Sequence, residues 1–199
     1  MELISLVTLK NVITGLGDVI FLAPLDHFTT VKKPEPPFDT PGASVIIADT
    51  HEFMEGKHFY QFATAPEKNK LEAKTAGDKG SQYLDVMMEA ILPGTYAEQH
   101  EFIKNIINKP CIALVYDADC AGHLRYQVGT ECNPAYVMAD FSTGTTKDGI
   151  KGYTCTIMAN HSPIRLYAGD IQLAPNVGVI IQTEEGNILT TEEEEPLET

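Results

Sequence analysis

Apolar and polar side chains alternate along residues 81–92, and this is the clearest pattern in the chain. One side of the alternation carries Leu84, Val86, Met88, Ala90 and Leu92, and the other carries Asp85 and Glu89. A period of two indicates a β-strand with one buried face and one polar face. Pro93 and Gly94 end the predicted strand.

A short amphipathic helix is predicted after this strand. Its apolar stripe consists of Phe102, Ile103, Ile106 and Ile107. Thr95 precedes Glu98 by three residues, which is the spacing of a capping box, so the helix is expected to begin at Thr95. Lys109 and Pro110 end the helix, and the apolar run 111–116 predicts a mostly buried strand.

Further strand patterns cover residues 15–25, 43–49, 59–64, 123–128, 135–141 and 150–159, with a short last strand within 164–173. Residues 66–80 form the first arm and turn of a hairpin that leads into the strand from residue 81. These patterns predict an α+β fold that is mainly antiparallel β, with one helix lying across a sheet. No second hydrophobic cluster is evident, so residues 1–175 are expected to form a single domain.

A proline-rich segment interrupts the early strands. Residues 29–42 contain Pro34, Pro36, Pro37 and Pro41, and Phe38 is the large apolar side chain among them. Proline removes a ladder donor, so this segment is not expected to form a central strand. It belongs to a predicted long loop over residues 26–58, and loops of this length are usually functional or disordered.

The charge of the chain is −14, and it is unevenly distributed. Seven glutamates and no basic residue lie in 184–199, so residues 1–183 carry −7. We therefore predict an acidic C-terminal extension over residues 176–199 that is mobile in solution. An acidic surface repels phosphate, which argues against sequence-specific nucleic-acid binding but is compatible with nucleic acid sliding past.

The sequence carries no apolar run long enough for a membrane span and no secretory signal, so no membrane anchor is expected. The four cysteines form no CxxC pair, so their spacing argues against a structural zinc site. Cys111 and Cys155 lie in apolar strand patterns and are expected in the core. A disulfide between Cys120 and Cys132 is an alternative that the spacing leaves undecided, although free thiols in a reducing cytosol are favoured.

The sequence offers few candidate catalytic or metal-binding residues. Asp117, Asp119 and His123 suggest either a cation site or a hairpin turn, and turn chemistry is the stronger interpretation. His51 and His58 can be grouped with Glu52 or Glu55 as metal ligands, but loop histidines are more often solvated. No nucleotide-binding motif, nucleophile elbow or catalytic set is recognisable. We therefore expect no catalytic residue, no metal and no cofactor, and we do not expect an enzyme.

Four successive segments define the order and spacing of the predicted elements: SQYLDVMMEAILPG, TYAEQHEFIKNIIN, KPCIALVYDADCAGHLRYQVG and ECNPAYVMADFSTGTTKDGIKGYTCTIMANHSPIRLYAGDI. With the strands before them, this order over residues 15–173 resembles that of the tail tube (major tail) proteins of tailed bacteriophages and prophages. It implies a tail-tube-like fold of two packed β-sheets, sandwich-like or barrel-like, flanked by one α-helix. It also implies hexameric rings in which one sheet per copy joins a barrel around a lumen, and these rings stack into a tube for double-stranded DNA.

The same resemblance implies partners and a place of action. The partners are further copies of the chain, other tail proteins, and double-stranded DNA that passes without specific binding. The protein would be part of the virion tail and would be assembled in the host cytoplasm. Alternatives are a tail terminator, an adaptor or an injection-system tube protein. A ligand-binding or carbohydrate-binding β-sandwich is the alternative from a different class, and the absence of tryptophan disfavours it.

The resemblance also assigns residues to two surfaces. The loop that reaches the neighbouring ring would include Pro34, Pro36, Pro37, Phe38, Asp39 and Phe53, with the two phenylalanines as anchors. The lumen-facing candidates are Asp78, Asp85 and Glu89, because acidic side chains repel phosphate. Three lysines of the same hairpin, Lys70, Lys74 and Lys79, would have the opposite effect if they faced the lumen, and an ordinary solvated face explains these charges equally well.

Overall fold

The computed structural model describes residues 15–40, 42–118, 124–145 and 149–173, together with the backbone of 181–182 and 188–189. Its strands are β1 (Leu16–Pro24), β2 (Phe28–Thr30), β3 (Ile46–Ile47), β4 (Glu52–Phe53), β5 (Tyr60–Ala63), β6 (Lys70–Ala76), β7 (Tyr83–Pro93), β8 (Cys111–Asp117), β9 (Arg125–Val128), β10 (Tyr136–Ser142), β11 (Gly152–Ala159), β12 (Arg165–Tyr167), β13 (Ile181–Gln182) and β14 (Ile188–Leu189). The α-helix α1 spans Ala97–Ile106, and two 3-10 helices span Leu25–His27 and Ala43–Val45.

Two large sheets make up most of the described structure. The six-stranded sheet has the order β3-β12-β9-β8-β1-β5 and is antiparallel except for the β12–β3 pair. The four-stranded sheet has the order β10-β11-β7-β6 and is antiparallel throughout. The prediction of a mainly antiparallel β fold with one helix is therefore confirmed.

The main core lies between these sheets. Every second residue of β7 from Val86 to Leu92 is buried, as the alternation predicted. These side chains pack with Ile20 and Leu22 of β1. Helix α1 adds Ile103 and Ile106 of its predicted stripe to the same core, whereas Ile107 is exposed. Burying each large aliphatic side chain contributes about 1.5–3 kcal/mol, so the β7 alternation is a main determinant of how the sheets face each other.

A second core lies on the opposite face of the six-stranded sheet. β1 contributes Phe21 and Ala23, and β8 contributes Ile112 and Leu114. The side chains that cover them are Phe28, Ile47, Phe59 and Tyr167, three of which come from the segment 28–59. The base of the predicted long loop 26–58 is therefore folded onto its own sheet, and β1 and β8 are buried on both faces.

One local prediction in this region was wrong in detail. The strand expected over residues 43–49 is a 3-10 turn followed by the two-residue strand β3. Within the loop, β2 and β4 also pair as a two-stranded ribbon, and Lys32 forms a salt bridge with Glu52 at 2.7 Å. β3 pairs in parallel with β12, and periodicity alone does not reveal that contact.

The predicted capping box at Thr95 is not formed. Helix α1 has Tyr96 as its N-cap residue, and no described side chain caps this end by a hydrogen bond. Because the helix begins one residue later than predicted, Glu98 occupies the second helical position instead of the third. Its carboxylate remains in the first turn, where the positive end of the helix dipole stabilises the negative charge.

The predictions for residues 1–14 and for most of 174–199 lie outside the described residues. The exceptions are β13 and β14, which pair antiparallel.

Candidate assembly surface

The four-stranded sheet ends in two long edges. β6 and β10 are each seven residues long, and they pair on one side with β7 and β11, respectively. Within the described residues, neither strand has a partner on its other side. A backbone bridge between Cys111 and Ala135 lies just before β10 and connects it to the six-stranded sheet. Each open edge therefore presents a row of backbone donors and acceptors.

The edges of the six-stranded sheet are shorter. β3 at one end has two residues, and β5 at the other has four. Helix α1 also packs Phe102 against Tyr60 and Phe62 of β5, with ring centroids 5.1 and 4.4 Å apart. Short or covered edges protect a sheet from pairing with other chains. The long edges differ from these in length: within the described residues no further strand is added to β6 or β10, although α1 contacts Phe141 of β10 through His100 and β6 carries Lys70 and Lys74.

The outer face of the four-stranded sheet has a charged half and a largely uncharged half. Because β7 buries its even-numbered residues, its odd-numbered residues point outward, and directly opposed residues share that face. The charged half holds Lys70, Glu72 and Lys74 of β6 with Asp85 and Glu89 of β7. The other half carries a single charged side chain, Asp140 of β10, among largely uncharged neighbours: Met87, Thr154, Thr156, Met158, Tyr136 and Met138.

Two of the three lumen candidates lie on this face. Glu89 pairs with Lys70 at 3.1 Å, and Asp85 accepts a hydrogen bond from the backbone N–H of His161 at 3.2 Å. Asp78 instead lies in the hairpin turn, where its carbonyl accepts the N–H of Ser81 at 2.9 Å. The structure thus places Asp85 and Glu89 on one face and Asp78 at its margin.

The two lysines of β6 share the outer face, but both are paired with carboxylates. Lys74 contacts Glu72 at 3.0 Å, and Lys70 lies 3.6 Å from the same residue. The hydrogen bond to Glu89 raises the pKa of Lys70, and the hydrogen bond from Lys74 lowers the pKa of Glu72. These lysines are therefore less available to an approaching phosphate than their number suggests.

The predicted inter-ring loop divides into an exposed tip and a packed base. Pro36, Pro37, Phe38 and Asp39 are exposed, and Pro34 is partly buried. Half of the accessible surface of Phe38 is exposed. Phe53, by contrast, is partly buried against the second core, with its ring 4.4 Å from Phe28 and 5.1 Å from Phe59. The structure therefore leaves Phe38 available to a partner, whereas Phe53 anchors the base of the loop.

His51 holds the base of this loop through a buried polar network. Its Nδ1 accepts the backbone N–H of Lys32 at 3.0 Å, so its Nε2 carries the proton that is donated to Gln127, also at 3.0 Å. Gln127 donates onward to the carbonyl of Gly129, and the ring of Tyr167 stacks on His51 at 4.5 Å. Burial lowers the pKa of His51 to about 4. The expectation of a solvated His51 was therefore wrong, and no local signal identifies its partner 76 residues away.

The cysteines that the structure describes are free thiols. Cys111 and Cys155 are buried as predicted, and burial raises the pKa of each to about 12, so both are unreactive. Cys132 is exposed, and Cys120 lies outside the described residues.

The structure describes one of the three residues that suggested a cation site. Asp117 accepts a hydrogen bond from the hydroxyl of Tyr126 at 2.8 Å, but Asp119 and His123 lie outside the description. The described residues contain no group of three or more histidine, cysteine or acidic side chains placed to hold a metal ion. The absence of a metal, a cofactor and a catalytic activity stays a prediction.

An open groove of about 1450 Å³ lies beside the ends of β1 and β8, lined by Phe21, Tyr116 and Arg125 among others. The guanidinium of Arg125 donates to the carbonyl of Gly169 at 2.7 Å and to the hydroxyl of Tyr116 at 3.0 Å. This arginine therefore links two segments that line the groove, and these structural hydrogen bonds account for its position.

No helix in the described part of the chain is long and apolar enough to cross a membrane. Searches of protein-family models, of curated proteins and of solved structures each found no match to this chain. The resemblance to tail tube proteins therefore stays a prediction from the sequence.

Proposed function

We propose that this protein is a structural subunit of a phage tail tube. Its copies would close into hexameric rings through the edges of the four-stranded sheet, and the rings would stack around a channel for double-stranded DNA. The observation that carries the proposal is the pair of seven-residue strands, β6 and β10, at opposite edges of one sheet, neither of which has a second partner within the described residues. A long unpaired edge is a template for pairing with another chain, and the two lysines of β6 are already paired with glutamates of their own sheet.

The direction of the two edges supports ring closure. The sheet has four antiparallel strands, so β6 and β10 run in opposite directions. A copy rotated about a common axis would place its β10 antiparallel to the β6 of its neighbour. The unpaired backbone groups of both edges would then find partners, and a closed ring would leave no edge free.

The outer face of this sheet has the charge expected of a channel wall. Its two lysines are paired with glutamates, while Asp85 and Asp140 add further negative charge to the same face. The remainder of the face consists largely of threonine and methionine side chains. Such a surface repels phosphates and offers DNA few fixed hydrogen-bonding or cationic contacts.

The exposed loop tip supports stacking of the rings. Phe38 and its neighbouring prolines project from a base that the two-stranded ribbon and His51 hold in place. An exposed aromatic residue on a rigid support is a suitable anchor for a second ring.

Electron microscopy of the purified full-length chain, with light scattering over a concentration series, tests the proposal. Rings or tubes with a central channel are the expected result. Rings that never stack would favour the terminator or adaptor role. A chain that stays monomeric at the highest concentration reached would contradict the proposal.

An edge variant makes the test specific. Met138→Lys with Phe141→Lys places two positive charges on β10 and should abolish ring formation, because one charge would face the lysines of a neighbouring β6 and the other would replace an apolar side chain on the core-facing side. The matched control, Met54→Lys with Ile150→Lys, changes two similarly exposed apolar residues outside both edges and should still form rings. Equal assembly of both variants would contradict lateral pairing through β10. Urea unfolding of both variants checks that each is folded.

A further inference from the structure

We infer that neighbouring copies pair residues 70–76 of β6 with residues 136–142 of β10 over their full length, which places Phe141 of one copy opposite Leu71 of the next. This inference rests on the proposed ring and adds to it a unique register and the residues that select it.

The lengths of the two strands favour this register. Both edges have seven residues, so full overlap pairs every residue of each strand. Side chains alternate between the faces, so the register changes only in steps of two residues if core-facing positions are to remain core-facing. Each such step leaves two residues of each strand unpaired, and it loses the backbone hydrogen bonds that those residues would form.

The core-facing side chains select the same register. Phe141 remains 44% exposed although its ring contacts His100 at 5.3 Å and Tyr153 at 5.1 Å. Leu71 packs at the margin of the main core beside the opposite edge. Full overlap brings these two apolar residues together and continues the core from one copy to the next. Shifted registers instead place Phe141 opposite Ala73 or beyond the end of β6, at Asn69.

On the outer face, full overlap creates one unfavourable pair of like charges between copies, and two neighbouring lysines offset it. Full overlap places Asp140 directly opposite Glu72, and like charges at such a position are destabilising. Lys70 and Lys74, which flank Glu72 and contact it, become the diagonal neighbours of Asp140. Full overlap also buries much of the 44% of the surface of Phe141 that is exposed in the monomer, and this apolar burial favours the register.

Cysteine cross-linking in assembled protein tests the register. The background is Cys120→Ser with Cys132→Ser, because Cys111 and Cys155 are buried and unreactive. Three double variants keep Asp140→Cys and add Lys70→Cys, Glu72→Cys or Lys74→Cys. A disulfide requires Cβ atoms about 3.5–4.5 Å apart, which directly opposed residues approach and diagonal residues do not.

Glu72→Cys with Asp140→Cys is expected to form intermolecular disulfides at least tenfold faster than either other pair, read as a ladder on non-reducing gels. Each single cysteine variant is the control and should form no ladder. Faster cross-linking of Lys70→Cys or Lys74→Cys would overturn the register while leaving the ring intact.

The pairing of the edges and the proposed function are contradicted by different results. An absence of cross-links from all three pairs, in preparations whose rings are visible by electron microscopy, would overturn pairing through these edges. An absence of rings from the background protein itself would instead overturn the proposed function.

Discussion

His51 is the residue whose role differs most from its sequence context. It lies in a polar stretch of the chain between Thr50 and Glu52, yet none of its surface is exposed. A neutral ring is required there, because Nδ1 must accept the N–H of Lys32 while Nε2 donates to Gln127. Protonation would place a second hydrogen against the donor of Lys32 and would disrupt the base of the long loop.

This geometry makes stability depend on pH. The pKa of His51 is about 4 in the fold and 6.5 for an unperturbed histidine. The unfolded chain therefore binds more protons between these values, so the stabilisation is complete above pH 6.5 and is lost as the pH falls toward 4. Between pH 7 and pH 5 the free energy of unfolding should fall by about 2 kcal/mol because of this residue.

Urea unfolding at both pH values measures the effect, with His51→Gln as the control. The variant should be less stable at pH 7, because it breaks part of the buried network, but it should lack most of this pH dependence. An unchanged dependence in His51→Gln would show that another group is responsible.

At the scale of elements, the pairing of β11 with β7 depends on a glycine at the first position of β11. Gly152 has a φ of 154°, and a Cβ atom there would lie 2.1 Å from the carbonyl oxygen of Leu92. That oxygen belongs to the backbone of β7, so it cannot rotate away as a side chain does. Any side chain at residue 152 would therefore force the two central strands of the four-stranded sheet apart.

Gly152→Ala should lower the free energy of unfolding by at least about 2 kcal/mol, as expected for strain in a packed backbone. Gly56→Ala is a suitable control, because its φ is 70° and a Cβ there meets no atom within 4 Å. It should cost only the left-handed backbone conformation, about 1 kcal/mol. Urea unfolding compares the two, and equal losses would contradict a specific clash at residue 152.

At the scale of the whole molecule, the two sheets have different roles. The six-stranded sheet is buried on both faces over β1 and β8, and it carries the folded base of the long loop. The four-stranded sheet is buried on one face and leaves its other face and both long edges to solvent within the described residues. In the proposed tube, the first sheet would support the subunit and the second would form the channel wall.

Ring stacking should depend on the loop tip more than on the rest of the loop. Phe38→Ser should leave rings but prevent long tubes, because it removes the exposed anchor without touching either core. Met54→Ser is the matched control, since Met54 lies in the same loop with nearly equal exposure, 49% against 50%. Tube length by electron microscopy is the measurement. Normal tubes from Phe38→Ser would remove Phe38 from the ring-to-ring contact.

The sequence by itself determined the elements whose signals are local. The alternation of β7 and the apolar stripe around Ile103 and Ile106 are properties of neighbouring residues, and both predict burial correctly. The hairpin turn at residues 77–80 follows equally from local turn chemistry. These features were predictable because strand and helix periods relate sequence spacing directly to one face.

The tertiary structure alone decided which edges stay open and which loop residues are packed. Phe38 and Phe53 look alike in sequence, but only Phe53 meets Phe28 and Phe59. His51 finds Gln127 across 76 residues. Such outcomes depend on contacts between distant segments, and local periodicity carries no information about which distant segments meet.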